Sequence, residues 1–205
     1  MLHLHGSVHF QMVSTQIDLH SIRWENDLSS IRSGDAYGRG PILSVEGSMF
    51  LNSVIVAGYG KSTQILRRPF RTYYSELDRL VSTSDTLLCL GYGFGDVHLN
   101  LAFGAYRDDR HRPVVIVDWA EDADMSASAT GLDGSYSPIN RAMQLFSTGA
   151  HTMQAHDRMI PGTVRHIKEN KGFDNSMNPD TPLAIWYNGM YAACENAGKI
   201  IDKLT

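Results

Sequence analysis

The hydrophobic positions of this chain predict short strands and amphipathic helices in alternation. From residue 2 to residue 10, apolar side chains or glycine occupy the even positions and histidine or serine the odd ones, which predicts a strand with one apolar face. The spacing of apolar residues predicts a helix over 16–31, and the three glycines of 33–40 predict a loop. The clearest helix follows Pro69, because aromatic and apolar residues then recur at steps of three and four up to Val81.

A strand, a glycine turn, a helix and a second strand follow one another in the middle of the chain. The apolar runs Thr86–Leu90 and Val114–Val117 predict the strands, and Asp96 begins a predicted helix that ends near Tyr106. Strands joined by a helical crossover of this length pair in parallel with a right-handed connection. We therefore expect an α/β fold, a partial doubly wound, Rossmann-like parallel sheet with flanking helices.

The last third of the chain is less regular. Residues 121–137 are polar, acidic and rich in small side chains, which predicts a loop. Apolar spacing predicts a helix over Pro138–Ser147 and a mostly amphipathic helix over Pro182–Leu204, which Gly189 and Gly198 weaken. We expect an irregular helical extension here, packed on the same domain or on a partner.

Composition narrows the classes of protein to which the chain can belong. Its 205 residues are enough for one domain with a sizeable core, and no apolar stretch approaches the roughly 20 residues of a membrane span. The formal net charge of −4 provides no long-range attraction for nucleic acid, so direct binding to nucleic acid is not expected. Cys89 and Cys194 are too few for a structural zinc site and fit a reducing, cytoplasmic setting.

The glycine turn is the first candidate site. Gly91, Gly93 and Gly95 alternate after an apolar strand, where an open α/β sheet presents backbone N–H groups to phosphate or ribose. Asp96 holds the last position of the G-x-G-x-x-G pattern, so the dinucleotide fingerprint is incomplete, and a tight turn that needs glycine for a positive φ is the alternative. Asp118 ends the next strand, where it could accept hydrogen bonds from both ribose hydroxyls or cap the following turn.

The histidines near the start of the chain are the second candidate. His3, His5 and His9 share the polar face of the predicted strand, which suits metal ligation, a single general base, or structural hydrogen bonding. No carboxylate nearby in sequence completes a metal site, and none is predicted. Residues 58–62 end in Gly-Lys-Ser, but the first glycine of a phosphate loop is missing, so a turn with an exposed Lys61 is the simpler interpretation.

Residues 1–119 resemble the C-terminal half of the sirtuin-like NAD-consuming domains, in particular the bacterial branch without zinc that is associated with phage defence. Gly91 to Asn100 is similar to the family signature Gly-Tyr-Ser-Phe-x-Asp-x-His-Ile-Asn. Three other segments match in order: Leu4-His5-Gly6-Ser7 with the catalytic His-Gly segment, 58–90 with the stretch before the next core strand, and the strand ending at Asp118 with the contact to the adenosine ribose. The resemblance divides the chain into an NAD-binding part, 1–119, and an extension, 120–205.

The resemblance implies a site and a reaction. Such domains bind NAD in an extended crevice and break the bond between nicotinamide and ribose, after which water can capture the ribose. His5 would be the catalytic base, acting on a ribose hydroxyl or on that water, and Gly91, Gly93, Asp96 and Asp118 would bind the NAD. The scarcity of cysteine favours NAD hydrolysis over a zinc-bearing protein deacylase.

The resemblance also implies that half of the family's site lies outside this chain. The family's first half carries a glycine-rich phosphate loop and an asparagine that positions the attacking water, and neither precedes His5. We therefore expect a longer polypeptide, a second chain or a homo-oligomer to complete the site, which leaves open whether this chain alone is an enzyme. The alternative function is a non-catalytic nucleotide-binding sensor or regulatory subunit.

Overall fold

The structure, a computed structural model, describes residues 1–2, 4–5, 7, 9–13, 21–31, 37–43, 49–56, 61–104, 112–120, 138–146, 153 and 163–205. The chain divides into two compact units, Met1–Arg79 and Leu80–Thr205. The fold is mixed α/β, with a mostly parallel four-stranded sheet and flanking helices in the second unit. The division at residue 119 that the family resemblance implies stays a prediction. No helix in the described part of the chain is both long and apolar enough to cross a membrane.

The first unit contains two antiparallel strand pairs. Its elements are β1 (Phe10–Val13), β2 (Ser21–Trp24), a 3-10 turn (Leu28–Ser30), β3 (Tyr37–Leu43), β4 (Met49–Ser53), α1 (Lys61–Gln64) and the first part of α2 (Phe70–Thr83). β1 pairs with β2, and β3 pairs with β4. The core of the unit is a buried apolar cluster formed by Phe10, Met12, Val54, Val56 and Phe70. The helix predicted after Pro69 is confirmed as α2.

The opening segment forms turns where a strand was predicted. Leu4, His5 and His9 lie in turns, and among the described residues of this segment strand structure begins at Phe10. Ser7 is the physical cause, because its hydroxyl accepts from the N–H of His9 (3.2 Å) and its carbonyl accepts from the N–H of Phe10 (3.0 Å). These local hydrogen bonds compete with strand pairing and delay the start of β1.

Two further predictions for this unit are wrong. The described part of 16–31 contains β2 and a 3-10 turn where a helix was predicted, and Ile22 of β2 packs against the core cluster. The predicted loop over 33–40 is a strand from Tyr37 onward, β3, whose register is irregular between Tyr37 and Pro41. Glycines in a strand commonly accompany such an irregularity, which is why they misled the prediction.

The second unit is built on the mostly parallel sheet. Its strands are β5 (Leu87–Leu90), β6 (Val114–Val117), β7 (Asp174–Asn175) and β8 (Leu183–Trp186), and its helices are α3 (Val97–Ala102), α4 (Pro138–Phe146), α5 (Thr163–Glu169), α6 (Gly189–Glu195) and α7 (Ala197–Asp202), together with the end of α2. The order is β5-β6-β8-β7, in which only β7 runs antiparallel to its neighbour. The predicted parallel unit β5–α3–β6 and helix α4 are confirmed. The loop predicted over 121–137 lies outside the described residues.

The central strands are β6 and β8. All four residues of each strand are buried, as expected for strands covered on both faces in a parallel sheet. One face of this pair packs against α6 and α7, through Val115, Val117, Ala184, Trp186, Ala193 and Ile200. The helix predicted over Pro182–Leu204 is therefore wrong at 183–186, because periodicity cannot distinguish a four-residue apolar run in a buried strand from part of a buried helix.

Candidate functional site

The parallel strands of the second unit bring the predicted NAD-binding residues to one edge of the sheet. The carboxyl ends of adjacent parallel strands lie side by side, so the turn after β5 neighbours the residue that ends β6. The N–H of Gly91 donates to the carbonyl of Val117 at 2.9 Å, one residue before Asp118. Gly91, Gly93, Asp96 and Asp118 thus belong to a single structural feature, the carboxyl edge of β5 and β6, although their roles in binding stay predictions.

The backbone of the glycine turn is held in an uncommon conformation. Gly91 has φ +59°, and Phe94 has φ +51°, which is unfavourable for a residue with a side chain. Phe94 is only 2% exposed, and its ring centroid lies 4.6 Å from that of Tyr92 and 6.0 Å from that of Phe146. Packing of Phe94 therefore offsets the backbone strain. A Cβ on Gly93 would meet no heavy atom within 4 Å, so space lies open beside this part of the turn.

Asp96 caps the helix that it was predicted to begin. Its Oδ1 accepts from the N–H groups of His98 (3.0 Å) and Leu99 (3.4 Å), which caps α3. Tyr92 and Asn100 complete the network, because the Tyr92 hydroxyl donates to Asn100 Oδ1 (2.8 Å) and Asn100 Nδ2 donates to the carbonyl of Phe94 (3.0 Å). These contacts account for much of the Gly-Tyr-Gly-Phe-Gly-Asp pattern without a ligand.

The guanidinium of Arg141 lies beside the glycine turn, and the sequence did not predict this neighbour. A Cβ on Gly95 would lie 3.1 Å from Nη1 of Arg141, so the glycine allows the guanidinium of an α4 residue to approach the turn closely. Arg141 is exposed, and guanidinium groups suit phosphate because they can donate two parallel hydrogen bonds. Its position 46 residues after Gly95 carries no local signal, so only the packing of α4 against the turn reveals it.

Asp118 sits where β6 passes into the next turn. Its backbone N–H donates to the carbonyl of Trp186 (3.0 Å), and its own carbonyl accepts from the N–H of Gly189 (3.0 Å). Its Oδ1 accepts from the N–H of Trp119 at 2.8 Å, and the residue is half-buried. The carboxylate is thus held at the edge of the sheet by the turn that it caps, and both predicted roles of Asp118 are compatible with this geometry.

His5 lies in the first unit, in the turn before β1. Its carbonyl accepts from the N–H of Val56 (3.0 Å), and its Nε2 lies 3.0 Å from Nζ of Lys61. An ammonium group can only donate, so Nε2 accepts and the proton of a neutral imidazole is on Nδ1. The sequence predicted Lys61 as an exposed turn residue. The structure places it beside the candidate base, a contact that the incomplete phosphate-loop pattern did not indicate.

The other histidines of the opening segment give little support to a metal site. His9 Nδ1 lies 2.9 Å from the carbonyl of Glu25, and its ring stacks on Trp24 with centroids 4.5 Å apart, which is a structural role. His3 lies outside the described residues. Among those described, no group of three His, Cys, Asp or Glu side chains is placed to hold a metal ion.

The two candidate segments belong to different compact units. His5 is part of Met1–Arg79, and the glycine turn and Asp118 are part of Leu80–Thr205. A pocket shared by the imidazole and the turn therefore stays a prediction. Comparison with protein-family models, with curated proteins and with solved structures finds no match to this chain. The resemblance to sirtuin-like domains is likewise still a prediction.

Proposed function

We propose that this chain is an NAD-binding module that takes part in hydrolysis of the bond between nicotinamide and ribose. The observation that carries the proposal is the carboxyl edge of the sheet in the second unit. There, open backbone at Gly93, the guanidinium of Arg141 and the carboxylate of Asp118 are gathered on neighbouring elements. Ligands of open α/β sheets bind at this edge, and a nucleotide presents the phosphates and ribose that such groups recognise.

Each group has a chemical role in this proposal. Backbone N–H groups of the turn and Arg141 bind the phosphates, and Asp118 accepts hydrogen bonds from the ribose hydroxyls. The doubly wound, Rossmann-like arrangement belongs to the same proposal, because it places a nucleotide at the carboxyl ends of parallel strands. Asp96 supports the turn through its cap and binds NAD at most through its remaining acceptor capacity.

His5 is the proposed base. The reaction consumes NAD⁺ and water and yields ADP-ribose, nicotinamide and a proton. The electron pair of the glycosidic bond leaves with the nicotinamide nitrogen, water forms the new bond to the ribose carbon, and the imidazole takes the proton from water or from a ribose hydroxyl. In this structure Nε2 accepts a hydrogen bond from Lys61, so this hydrogen bond must break before Nε2 can take the proton.

The proposed setting follows from the resemblance. A longer polypeptide, a second chain or a second copy supplies the family's phosphate loop and water-positioning asparagine. The complete protein acts in bacterial phage defence, in a reducing cytoplasm in which Cys89 and Cys194 stay free thiols.

The test of this function measures nicotinamide release from NAD by this chain alone and by the chain combined with a polypeptide that carries the missing half. We expect release from the complete protein, and a loss of about a hundredfold to ten-thousandfold in rate for His5→Ala, since a general base contributes this much. His166→Ala is the matched control, because His166 is an exposed histidine of α5 and should leave the rate unchanged. Absence of release from both preparations, with folding verified, would contradict the enzyme proposal.

A second candidate function is nucleotide binding without cleavage, as in a sensor or regulatory subunit. The observation that favours it is that the binding groups named above all belong to the second unit, whereas the proposed base belongs to the first. In this case NAD binds and remains intact, and His5→Ala leaves the affinity for NAD unchanged. Calorimetric titration together with analysis of the recovered nucleotide separates the two functions.

A further inference from the structure

Trp119 is a large aromatic side chain that the second unit holds at its sheet edge yet leaves 59% exposed. It follows Asp118 directly, and an isolated antiparallel bridge joins its backbone to Asn188. Indole carries one of the largest apolar surfaces of any side chain, and exposing it to water costs free energy that burial would recover. An exposed indole beside the carboxylate that could bind a ribose therefore indicates a surface on which a ligand could be buried.

The residues around the indole restrict its orientation. Nζ of Lys168 lies 3.7 Å from the ring centroid of Trp119 and also donates to the carbonyl of Ala120 at 2.7 Å. The carbonyl of Lys168 accepts from Nδ2 of Asn188 (2.9 Å), which anchors the lysine in turn. At Gly189, φ is +75° and a Cβ would lie 3.3 Å from Cε3 of the indole, so glycine permits the close approach. The ring is ordered by its neighbours before any ligand arrives, which reduces the entropy cost of binding.

We propose that the purine base of a bound nucleotide stacks on the face of the Trp119 indole opposite Lys168. The inference rests on the proposed function, because it takes Asp118 as the group that holds the ribose of the same nucleoside. Consecutive Cα atoms are about 3.8 Å apart, so the carboxylate and the indole originate within the span of one nucleoside. A preordered aromatic ring stacks readily on a flat base, and a purine offers it more area than a pyrimidine.

The experiment titrates adenosine monophosphate into the full chain and follows tryptophan fluorescence, with calorimetry as an independent measure of Kd. The ligand lacks the nicotinamide bond, so the result does not depend on cleavage. We expect Trp119→Leu to weaken binding by about 5-fold to 150-fold, the range that loss of base stacking produces. Uridine monophosphate should bind the wild type more weakly than adenosine monophosphate.

Trp24→Phe is the matched control, since Trp24 is an exposed tryptophan of the first unit that stacks on His9. This variant leaves Trp119 and the buried Trp186 as the emitters, and adenosine monophosphate must still quench its fluorescence. The control also keeps the test decisive if Trp119→Leu fails to fold, because it leaves Trp119 in place.

The outcomes separate this inference from the proposed function. Equal affinity of wild type and folded Trp119→Leu for adenosine monophosphate, or unquenched fluorescence of Trp24→Phe on binding, overturns the stacking role and leaves NAD binding standing. Equal affinity for the uridine and adenosine nucleotides overturns the preference for purine. If the folded wild type does not bind adenosine monophosphate, the stacking role fails. If its combination with a polypeptide that carries the missing half also does not bind NAD, the proposed function fails as well.

Discussion

The glycine turn and the His5 segment differ in what holds each of them in place. Within the turn, Asp96 caps the helix that follows it, and Tyr92 and Asn100 bond to each other and to the turn backbone. The His5 segment depends on partners distant in sequence, namely the N–H of Val56 and the ammonium of Lys61, which is 56 positions away.

This difference between the two segments explains why the sequence predicted the structure of one and not of the other. The apolar run, the alternating glycines and the helix cap all favour a strand, a tight turn and a helix in this order, and the structure confirms them. Around His5 only the alternation of apolar and polar residues favoured a strand, and the hydrogen bonds of Ser7 outweighed it. Three experiments test how firmly each segment is held.

The largest expected difference is in thiol reactivity, which reports on the strand that carries the glycine turn. Burial raises the pKa of Cys89 in β5 from its ordinary 9.0 to about 12. Its thiolate is therefore about a thousandfold scarcer near neutral pH, and access to it is also restricted. Titration of the native protein with a thiol reagent should modify the exposed Cys194 quickly and Cys89 only after unfolding. Cys194→Ser is the control, and rapid reaction of its remaining thiol would show that β5 is not closed as described.

A matched pair of glycine variants separates backbone conformation from ligand access. Both Gly91 and Gly93 have open space where a Cβ would be, but only Gly91 has a left-handed φ. Gly91→Ala should lower the free energy of unfolding by about 1–2 kcal/mol, and Gly93→Ala should change it by no more than about 0.5 kcal/mol, as measured in urea.

The same pair also tests the proposed binding role of the turn. If NAD approaches the turn backbone, the methyl group of Gly93→Ala should weaken its binding although stability is retained. Equal unfolding free energies for the two variants would contradict the described conformation of Gly91.

The smallest expected effect concerns the His5 segment. Lys61→Met removes the donor to Nε2, so the tautomer equilibrium of the His5 imidazole should shift, while the free energy of unfolding changes by less than about 0.5 kcal/mol. Nitrogen-15 NMR of the histidine rings distinguishes the two tautomers. Lys199→Met, which removes a lysine of α7, should leave the His5 signals unchanged. An unaltered tautomer in Lys61→Met would mean that Lys61 does not orient the base.

The candidate site likewise contains residues that the sequence predicted and neighbours that only the fold reveals. Gly91, Gly93, Asp96 and Asp118 could be named from the sequence, because the first three lie in the turn after one predicted strand and Asp118 ends the next. No sequence signal marked the cations, because Arg141 approaches Gly95, Lys61 lies beside His5 and Lys168 lies over Trp119, each from another element. Trp119 was visible as a residue, but its exposure and its fixed orientation follow from packing alone.

By itself the sequence determined the parallel unit β5–α3–β6, helix α2 and the location of the glycine turn, because short-range periodicity and capping act within a few residues. The tertiary structure decided that β8 is a strand, since a short apolar run becomes strand or helix according to what it pairs with, and here β6 and β7 pair with it. It also decided which cations approach the turn and the imidazole, because such contacts join residues whose separation along the chain carries no pattern.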